Sequence, residues 1–369
     1  MRSRVSARTG AITVLAVFGA TVALVGCAQM SQPGLASTTP SLAGSSSEYP
    51  LESSSARSLT IYTSRTTSFA LDRIDQRSLP LDQTYSHPAT GQGVTVYVFD
   101  GGVSMTHDEL KGRVRVGYSG FPDDAKICNA HGTAVAGAIA GATLGVAPDA
   151  DIVDVKMVQC DKLRGTIKAI VDGARWVVED HKRHPGPAVA NWSFIADTSS
   201  RIPGLDSAVN ELRAAGIPVV VSAGNLEIDA CRVSPGNSRG TIVVGASASG
   251  TERMPDGTMK VIDRRSPGTA YGSCIDIYAP GDSVLLPSLD RDLAPIQQLW
   301  NGTSMSAGYV SGAIALYLET HPNATPDQVA EDLKRSATMN AIHDARSATS
   351  RLLFVGSPDS RYVASNGGR

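Results

Sequence analysis

Four polar residues of complementary chemistry stand at the ends of short apolar runs or at the start of helix-like segments. Asp100 follows Val-Tyr-Val-Phe, and Asn225 closes the segment Ser-Ala-Gly-Asn after Val-Val-Val. His131 opens His-Gly-Thr, and Ser304 lies in Gly-Thr-Ser-Met-Ser. A neutral imidazole can take the proton of a serine hydroxyl near pH 7, an acid can hold the imidazole in the correct tautomer, and an amide can donate to an oxyanion. This set predicts nucleophilic catalysis.

Each of these residues has an ordinary structural role when it is taken alone. A serine that opens a helix is usually a cap, because its oxygen accepts from the free N–H groups of the first turn. A lone histidine is usually structural, and aspartate after a strand is common in loops. The order acid, imidazole, amide and hydroxyl along one chain is what favours catalysis.

Short apolar runs alternate with helix-like stretches between these residues. The runs are rich in Val and Ile without polar alternation, as in strands buried on both faces of a parallel sheet, and the stretches suit crossover helices. We predict one α/β domain over residues 68–357, a doubly wound, mostly parallel sheet with helices on both faces and chemistry at the carboxyl ends of its strands. The expected strands are Val94–Phe99, Ile152–Val158, Ala188–Trp192, Pro218–Val221 and Thr241–Val244, and the expected helices are Gly132–Ala142, Gly165–His181, Leu205–Ala215 and the stretch after Ser304.

Composition excludes several classes of function. The chain has 369 residues, a formal charge of −2, 42% hydrophobic residues and 18% charged residues. This balance suits a globular core and argues against a strongly basic nucleic-acid-binding protein. Zinc-binding patterns such as Cys-x-x-Cys or His-Glu-x-x-His and the phosphate-binding pattern Gly-x-x-x-x-Gly-Lys are absent from the sequence. We expect no cofactor for catalysis, no nucleic-acid partner and a monomer.

The N-terminus predicts export. Arg2, Arg4 and Arg8 precede an apolar run from Ala11 to Val25, which is short for a membrane span of about twenty residues and typical of a signal peptide. The run ends in Leu-Val-Gly-Cys27, which resembles the lipobox of bacterial lipoproteins, although an ordinary signal peptide with an incidental cysteine stays possible. We expect a signal peptide at 1–26, a lipid on Cys27 that anchors the protein to the bacterial membrane or cell surface, a Ser-rich tether at 27–67 and a flexible tail at 358–369.

The four segments that contain Asp100, His131, Asn225 and Ser304 together resemble the signature segments of subtilisin-like serine peptidases. The likeness runs from about Leu71 to Leu353, and the cysteine layout is similar to the proteinase K branch. The triad of subtilisin itself follows the order Asp, His, Ser along its chain, which is the order found here. The resemblance implies that Asp100, His131 and Ser304 form a catalytic triad and that Asn225 donates to the oxyanion.

The sequence departs from the family pattern around the expected cleft. Gly101 stands where the family usually has Thr or Ser, Ala134 replaces the second His of His-Gly-Thr-His, and Met305-Ser306-Ala307-Gly308 replaces Met-Ala-x-Pro. Ser193-Phe194-Ile195-Ala196 replaces Ser-Leu-Gly-Gly, and Leu163-Arg164-Gly165 replaces Gly-Ser-Gly. Branched side chains near the glycine positions predict a narrow cleft. The substrate-binding residues that the resemblance implies are Ser193, Phe194, Ile195, Leu163, Gly165, Ala223 and Gly224.

Four cysteines follow Cys27 in the sequence, and they allow three pairings. The resemblance implies the pairs Cys128–Cys160 and Cys231–Cys274. It also implies a structural calcium site at Asp276, completed by backbone carbonyls near Arg239 and Thr241, although Asp276 could simply cap a turn.

Three hypotheses about function remain open from the sequence. The first is an exported, lipid-anchored serine endopeptidase of narrow specificity that acts on a peptide or protein substrate through an acyl-enzyme. The second is a degenerate member of the family that serves as a surface binding protein. The third is a peptide acyl-transferase or ligase on the same site, which the altered residue Gly308 leaves open.

Overall fold

The computed structural model describes residues 60–124, 126–196 and 201–356. Its helices are α1 (Phe69–Ile74), α2 (His131–Ala140), α3 (Ile167–Arg183), α4 (Pro203–Ala214), α5 (Thr303–Thr320) and α6 (Pro326–Ser336), with a 3-10 turn at Ala230–Arg232. Its strands are β1 (Tyr62–Arg65), β2 (Thr84–His87), β3 (Thr95–Asp100), β4 (Val114–Ser119), β5 (Asp151–Lys156), β6 (Val158–Gln159), β7 (Arg164–Gly165), β8 (Ala188–Trp192), β9 (Val219–Ser222), β10 (Thr241–Arg253), β11 (Met259–Arg265), β12 (Ile277–Pro280), β13 (Val284–Leu289), β14 (Pro295–Trp300) and β15 (Ile342–His343).

A nine-stranded sheet forms the centre of the fold, in the order β15-β11-β10-β9-β8-β3-β5-β4 with β12 also paired to β10. The pairs from β4 to β10 are parallel, whereas β10 and β11 are antiparallel. Val96 and Val98 of β3 pack with α2 and α5, while Tyr97 and Phe99 pack with α3 and α4. The strands are therefore buried on both faces, and the predicted doubly wound α/β fold is confirmed.

Two strands reach beyond the ranges expected from apolar composition. β10 continues to Arg253 and pairs with β11 as a hairpin whose outer part is exposed. Backbone pairing with β11 holds the outer part of β10 in place. Its sequence is polar, so apolar composition does not predict a strand there. β1 lies inside the range assigned to the tether and pairs antiparallel with β2, while Tyr62 stacks on His87. Ordered structure thus begins before residue 68.

Several predictions about the termini lie outside the described residues. These are the signal peptide at 1–26, the lipid on Cys27, most of the tether and the tail at 358–369. Among the helices of the described ranges, none is both long enough and apolar enough to cross a membrane.

Glycines allow α5 to pack closely on α2. A methyl group built on Gly308 would lie 3.0 Å from both Ala138 Cβ and the Val135 backbone oxygen. A methyl group built on Gly312 would lie 2.9 Å from the Ile139 backbone oxygen. Because such contacts are shorter than carbon and oxygen atoms normally make, larger residues here would force the two helices apart.

We expect Gly312→Ala to lower the free energy of unfolding by about 1–3 kcal/mol, because overpacking outweighs the higher helix propensity of alanine. Denaturant unfolding measures this change. Gly204→Ala in α4 is the matched control, since a methyl group there would make ordinary contacts of 3.4 Å with Ile167 and 3.5 Å with Val171. Equal effects of the two substitutions would contradict the close-packing argument.

Candidate active site

The four candidate catalytic residues named from the sequence meet at one edge of the sheet. Asp100 is the last residue of β3, and Asn225 follows the end of β9. His131 is the first residue of α2, and Ser304 is the second residue of α5. Parallel strands place their carboxyl ends on one edge, and the packing of α5 on α2 brings the two helix N-termini to that edge.

Asp100 and His131 form a hydrogen-bonded couple. Asp100 Oδ2 lies 2.8 Å from His131 Nδ1, and Asp100 Oδ1 accepts from the Gly101 N–H at 2.7 Å. Burial lowers the pKa of His131, but the charge of Asp100 and the hydrogen bond to it outweigh burial and raise this pKa above its usual 6.5. The Nδ1–H is thereby fixed toward the acid, which leaves Nε2 as the basic nitrogen of the neutral ring.

Ser304 lies where a helix begins. Gly302 precedes α5 at φ 130°, a conformation that favours glycine. Ser304 Oγ donates to the Ser193 carbonyl at 3.2 Å, and among the described residues no hydrogen bond joins it to His131. A hydroxyl can turn about one side-chain bond, and catalytic hydrogen bonds are often long or misaligned without substrate.

The amide of Asn225 has a fixed orientation. Its Oδ1 accepts from the Thr303 backbone N–H at 2.9 Å and from Thr303 Oγ1 at 3.0 Å. The Nδ2 group therefore points away from Thr303 and stays available to an external oxygen. Sequence reasoning named Asn225 but missed Thr303, although this threonine stands next to Ser304 within the motif.

A buried polar network holds the segment that carries Ser304 against the sheet. Ser311 Oγ donates to Asn191 Oδ1 at 2.9 Å, and Asn191 Nδ2 donates to Ser193 Oγ at 2.9 Å. Ser193 Oγ in turn donates to the Ser304 carbonyl at 2.9 Å. This chain of bonds links β8 to the first turn and the middle of α5. Sequence reasoning missed Ser311, because no motif surrounds it.

Ile195 lies close to Gly224 in the segment that ends at Asn225. A methyl group built on Gly224 would lie 3.3 Å from both the Cδ1 and the Cγ2 of Ile195. The side chain of Ile195 thus fills the space between its own segment and the segment Ser222–Asn225. Phe194 stacks on Trp192 instead, with ring centroids 5.5 Å apart, and Ala223 is buried.

A short hairpin carries the second segment that the resemblance assigns to substrate binding. Gly165 of β7 pairs with Val158 of β6 in antiparallel register. Leu163 precedes β7 at φ 48°, and its side chain is exposed. Leu163 is therefore exposed, whereas two carbon atoms of Ile195 lie 3.3 Å from the position that a Cβ on Gly224 would take.

Trp300 is a further neighbour of the site that sequence reasoning missed. Its ring meets the His131 ring edge-on, with centroids 6.2 Å apart. Its indole Nε1 is buried and has no hydrogen-bond partner among the described residues. The residue stands at the end of β14, two positions before Gly302.

Comparison with known proteins identifies the family. The model described as the subtilase family matches residues 91–359. This chain belongs to the subtilase family. The matched range includes all four residues that meet at the sheet edge.

Relatives of this subtilase agree with that assignment. An extracellular serine proteinase of Thermus sp. (strain Rt41A) is 39% identical over 288 residues, which cover 78% of this chain and 65% of that protein. The alkaline serine exoprotease A of Vibrio alginolyticus is 37% identical over 289 residues, which cover 78% of this chain and 50% of that protein. The subtilase thus spans about half to two thirds of the length of these relatives. The crystal structure of a cold adapted subtilisin-like serine proteinase matches with a TM-score of 0.67 at 37% identity, covering 78% of this chain and 98% of that chain.

Two disulfide bonds lie beside the site of this subtilase. The bonded pairs are Cys128–Cys160 and Cys231–Cys274, which are the pairs that the resemblance implies. The Cys128 N–H donates to the Gly101 carbonyl at 2.9 Å. A methyl group built on Gly101 would lie 3.3 Å from Cys128 Cβ, so the first disulfide packs directly against the segment after the acid.

The carboxylate of Asp276 is already paired in this subtilase. Its Oδ2 accepts from the Val243 N–H at 3.0 Å, and its Oδ1 lies 3.4 Å from the Lys334 ammonium. A divalent cation would face that positive charge, so these residues fit a calcium ion poorly.

One other group of potential metal ligands converges among the described residues. It consists of Asp124, Cys128 and Cys160. The two sulfur atoms are bonded to each other, and a disulfide sulfur is not the thiolate that metals bind. This group therefore does not supply a metal centre.

Proposed function

We propose that this subtilase is a serine endopeptidase that cleaves peptide bonds through an acyl-enzyme on Ser304. The observation that carries the proposal is the hydrogen-bonded couple of Asp100 and His131 at the edge where Ser304 opens α5 and Asn225 turns its Nδ2 outward. Acid, base, nucleophile and oxyanion donor are then all supplied by the chain itself. The serine proteinase and exoprotease named among the relatives support the same chemistry.

The geometry gives each residue a defined part in the proposed reaction. Ser304 Oγ turns from the Ser193 carbonyl, passes its proton to His131 Nε2 and bonds to the substrate carbonyl carbon. The oxyanion accepts from Asn225 Nδ2 and from N–H groups of the first turn of α5, which have no partner within the helix. His131 then gives its proton to the leaving amine as the C–N bond breaks. Water repeats the sequence to release the acyl group, and Asp100 stabilises the imidazolium in both halves.

One observation favours a degenerate binding protein instead. Ser304 Oγ is engaged by the Ser193 carbonyl rather than by His131. Labelling of the serine decides between the two. The acyl-transferase alternative loses its support, because Gly308 is explained by contact with α2: a methyl group there would lie 3.0 Å from the Val135 oxygen.

We expect purified protein to form a covalent adduct at Ser304 with a fluorophosphonate probe, identified by peptide mass spectrometry. Ser304→Ala should abolish labelling, whereas Ser306→Ala, two residues along the same helix, should still label, because Ser306 Oγ only donates to the Ala279 and Pro280 carbonyls. Asn225→Ala should cost about 2.7–4 kcal/mol of transition-state stabilisation, the magnitude established for the oxyanion-binding asparagine of subtilisin itself. An unlabelled, correctly folded wild type would support the binding protein.

The contact between Ile195 and Gly224 supports narrow specificity. An isoleucine side chain occupies space that a glycine would leave open to the substrate side chain before the scissile bond. In a hydrophobic pocket, one methylene group more or less discriminates between substrates by about 10–200-fold. We therefore propose that the enzyme accepts only small side chains at this position.

Ile195→Gly should raise kcat/KM for peptides with a large side chain before the scissile bond by about tenfold or more, relative to peptides with a small one. The measurement compares two such peptides for each variant. Leu163→Gly is the matched control and should change the ratio little, because Leu163 is exposed at the cleft edge. Digestion of casein by the wild type without selectivity would contradict the narrow cleft.

We also propose that the enzyme is exported and lipid-anchored through Cys27. The basic start, the apolar run and Leu-Val-Gly-Cys27 support this, and the Thermus relative is named as extracellular. The paired cysteines fit an oxidising compartment. Peptide substrates would then be met outside the cell.

Cys27→Ser should release the protein from membranes or arrest its processing. Membrane fractionation and mass spectrometry of the mature N-terminus test this, with Cys27→Ser compared with the wild type in the same host. A soluble wild type that begins well beyond Cys27, together with an unchanged variant, would contradict the lipid anchor.

A further inference from the structure

Asp154 is a buried acid that the proposed mechanism does not use. It lies in β5, opposite Val98 of β3 and Val116 of β4. Lys156, two residues further along β5, stands opposite Asp100. Since side chains two residues apart share a face of the sheet, Asp154 lies on the same face as Asp100, one diagonal step away.

Asp154 holds the backbone that follows the candidate acid. Its Oδ2 accepts from the Val103 N–H at 3.2 Å. The Gly101 carbonyl of the same segment accepts from the Cys128 N–H, and the Gly101 N–H donates to Asp100 Oδ1. Residues 101–103 are thus fixed at both ends by three groups, of which two are the carboxyls of Asp100 and Asp154.

The surroundings of the other oxygen of Asp154 indicate that its own carboxyl group is neutral. Asp154 Oδ1 is buried without a hydrogen-bond partner among the described residues. A buried carboxylate normally pairs each oxygen, because an unpaired charge in a low dielectric is costly. A proton on Oδ1 removes that charge, while Oδ2 still accepts the hydrogen bond from the Val103 N–H.

Few charges act on Asp154 from the elements around it. Asp100 approaches from β3, Lys156 from β5, and His131 of α2 is reached through Asp100. Lys156 is directed away, because its ammonium donates to the Asp124 carbonyl and lies 3.7 Å from Asp124 Oδ2. Burial raises the pKa of Asp154 to about 7; the Val103 N–H and Lys156 lower this pKa, and Asp100 raises it.

We propose that Asp154 is a positioning residue for the couple of Asp100 and His131 and that it competes with His131 for one proton. The proposal rests on the proposed function in naming that couple as catalytic. One proton can be held as His131-H⁺ with ionised Asp154 or as neutral His131 with neutral Asp154. The two forms have the same composition, and only the second form leaves His131 able to accept the serine proton.

The competition has a definite sign. Ionised Asp154 adds a negative charge on the face of the sheet that carries Asp100, the hydrogen-bond partner of His131. We expect this charge to stabilise the imidazolium and so to raise the pKa of His131. Asp154→Asn removes that charge and should lower the pKa of His131. The acid limb of the kcat/KM profile should then move to lower pH, by a shift on the order of one pH unit or less.

The positioning role is tested by a second substitution. Asp154→Ala removes the acceptor for the Val103 N–H, and we expect kcat to fall about tenfold with KM little changed. Asp154→Asn keeps an oxygen for that N–H and should restore most of the lost kcat. If alanine and asparagine reduce kcat equally, the hydrogen bond to Val103 does not position the couple.

A nuclear magnetic resonance titration of His131 gives a readout that does not depend on activity. We expect the pKa of His131 to be lower in Asp154→Asn than in the wild type, with the signal assigned from His131→Ala. Asp180→Asn is the matched control. Asp180 is also buried, but it accepts from Tyr97 on the other face of the sheet, so the pKa of His131 should not move.

The outcomes separate this proposal from the proposed function. An inactive, unlabelled wild type would remove the endopeptidase, while a lower pKa of His131 in Asp154→Asn would still support the proton competition. An unchanged pKa and an unchanged acid limb in Asp154→Asn would overturn the competition even in an active enzyme. If Asp154→Ala does not fold, as judged by thermal unfolding, Asp154→Asn alone carries the decision through the pKa of His131.

Discussion

The close approach of α2 and α5 is the constraint on which the rest of the structure depends. The two helices begin at the residues that would act as base and nucleophile, so the distance between their axes sets the distance between those residues. Gly308 and Gly312 permit this spacing because α5 presents no side chain to the Ile139 and Val135 backbone. Asp100 and Asn225 then lie at the same edge of the sheet, because parallel strands have their carboxyl ends on one edge.

Hydrogen bonds to the backbone refine what packing achieves. Asn225 is oriented by Thr303, and the first turn of α5 is tied to β8 through Ser193 and Asn191. The bonds of Ser193 and Asn191 are buried, where an unsatisfied polar group is costly, and so each of them favours a single arrangement. The site is therefore organised before a substrate arrives. In the proposed reaction, substrate binding has to turn only the Ser304 hydroxyl rather than assemble the whole set.

The fold could be predicted from the sequence because β3, β5, β8 and β9 are buried on both faces and leave a strong apolar signal. Asp100, His131, Asn225 and Ser304 could be named because each stands in a short motif. Features that depend on contacts between distant segments were missed. Ile195 was suspected from a missing glycine, but its contact with Gly224 is visible only when the two segments face each other. Asp154 is one polar residue in an apolar strand, and nothing in its neighbourhood along the chain reveals Val103. β1 and the outer part of β10 are held by backbone pairing, which side-chain composition records poorly.

The pairing of β1 with β2 has a mechanical consequence. Four residue pairs join the strands, from Tyr62 opposite His87 to Arg65 opposite Thr84. A pull at Tyr62 directed across the strands and away from β2 would load these pairs one after another, because Tyr62 would separate first and Arg65 last. Strands separated in this way yield at lower force than strands that slide past each other along their length. β1 would therefore act as a release segment that gives way under tension while α1 and the central sheet keep their shape.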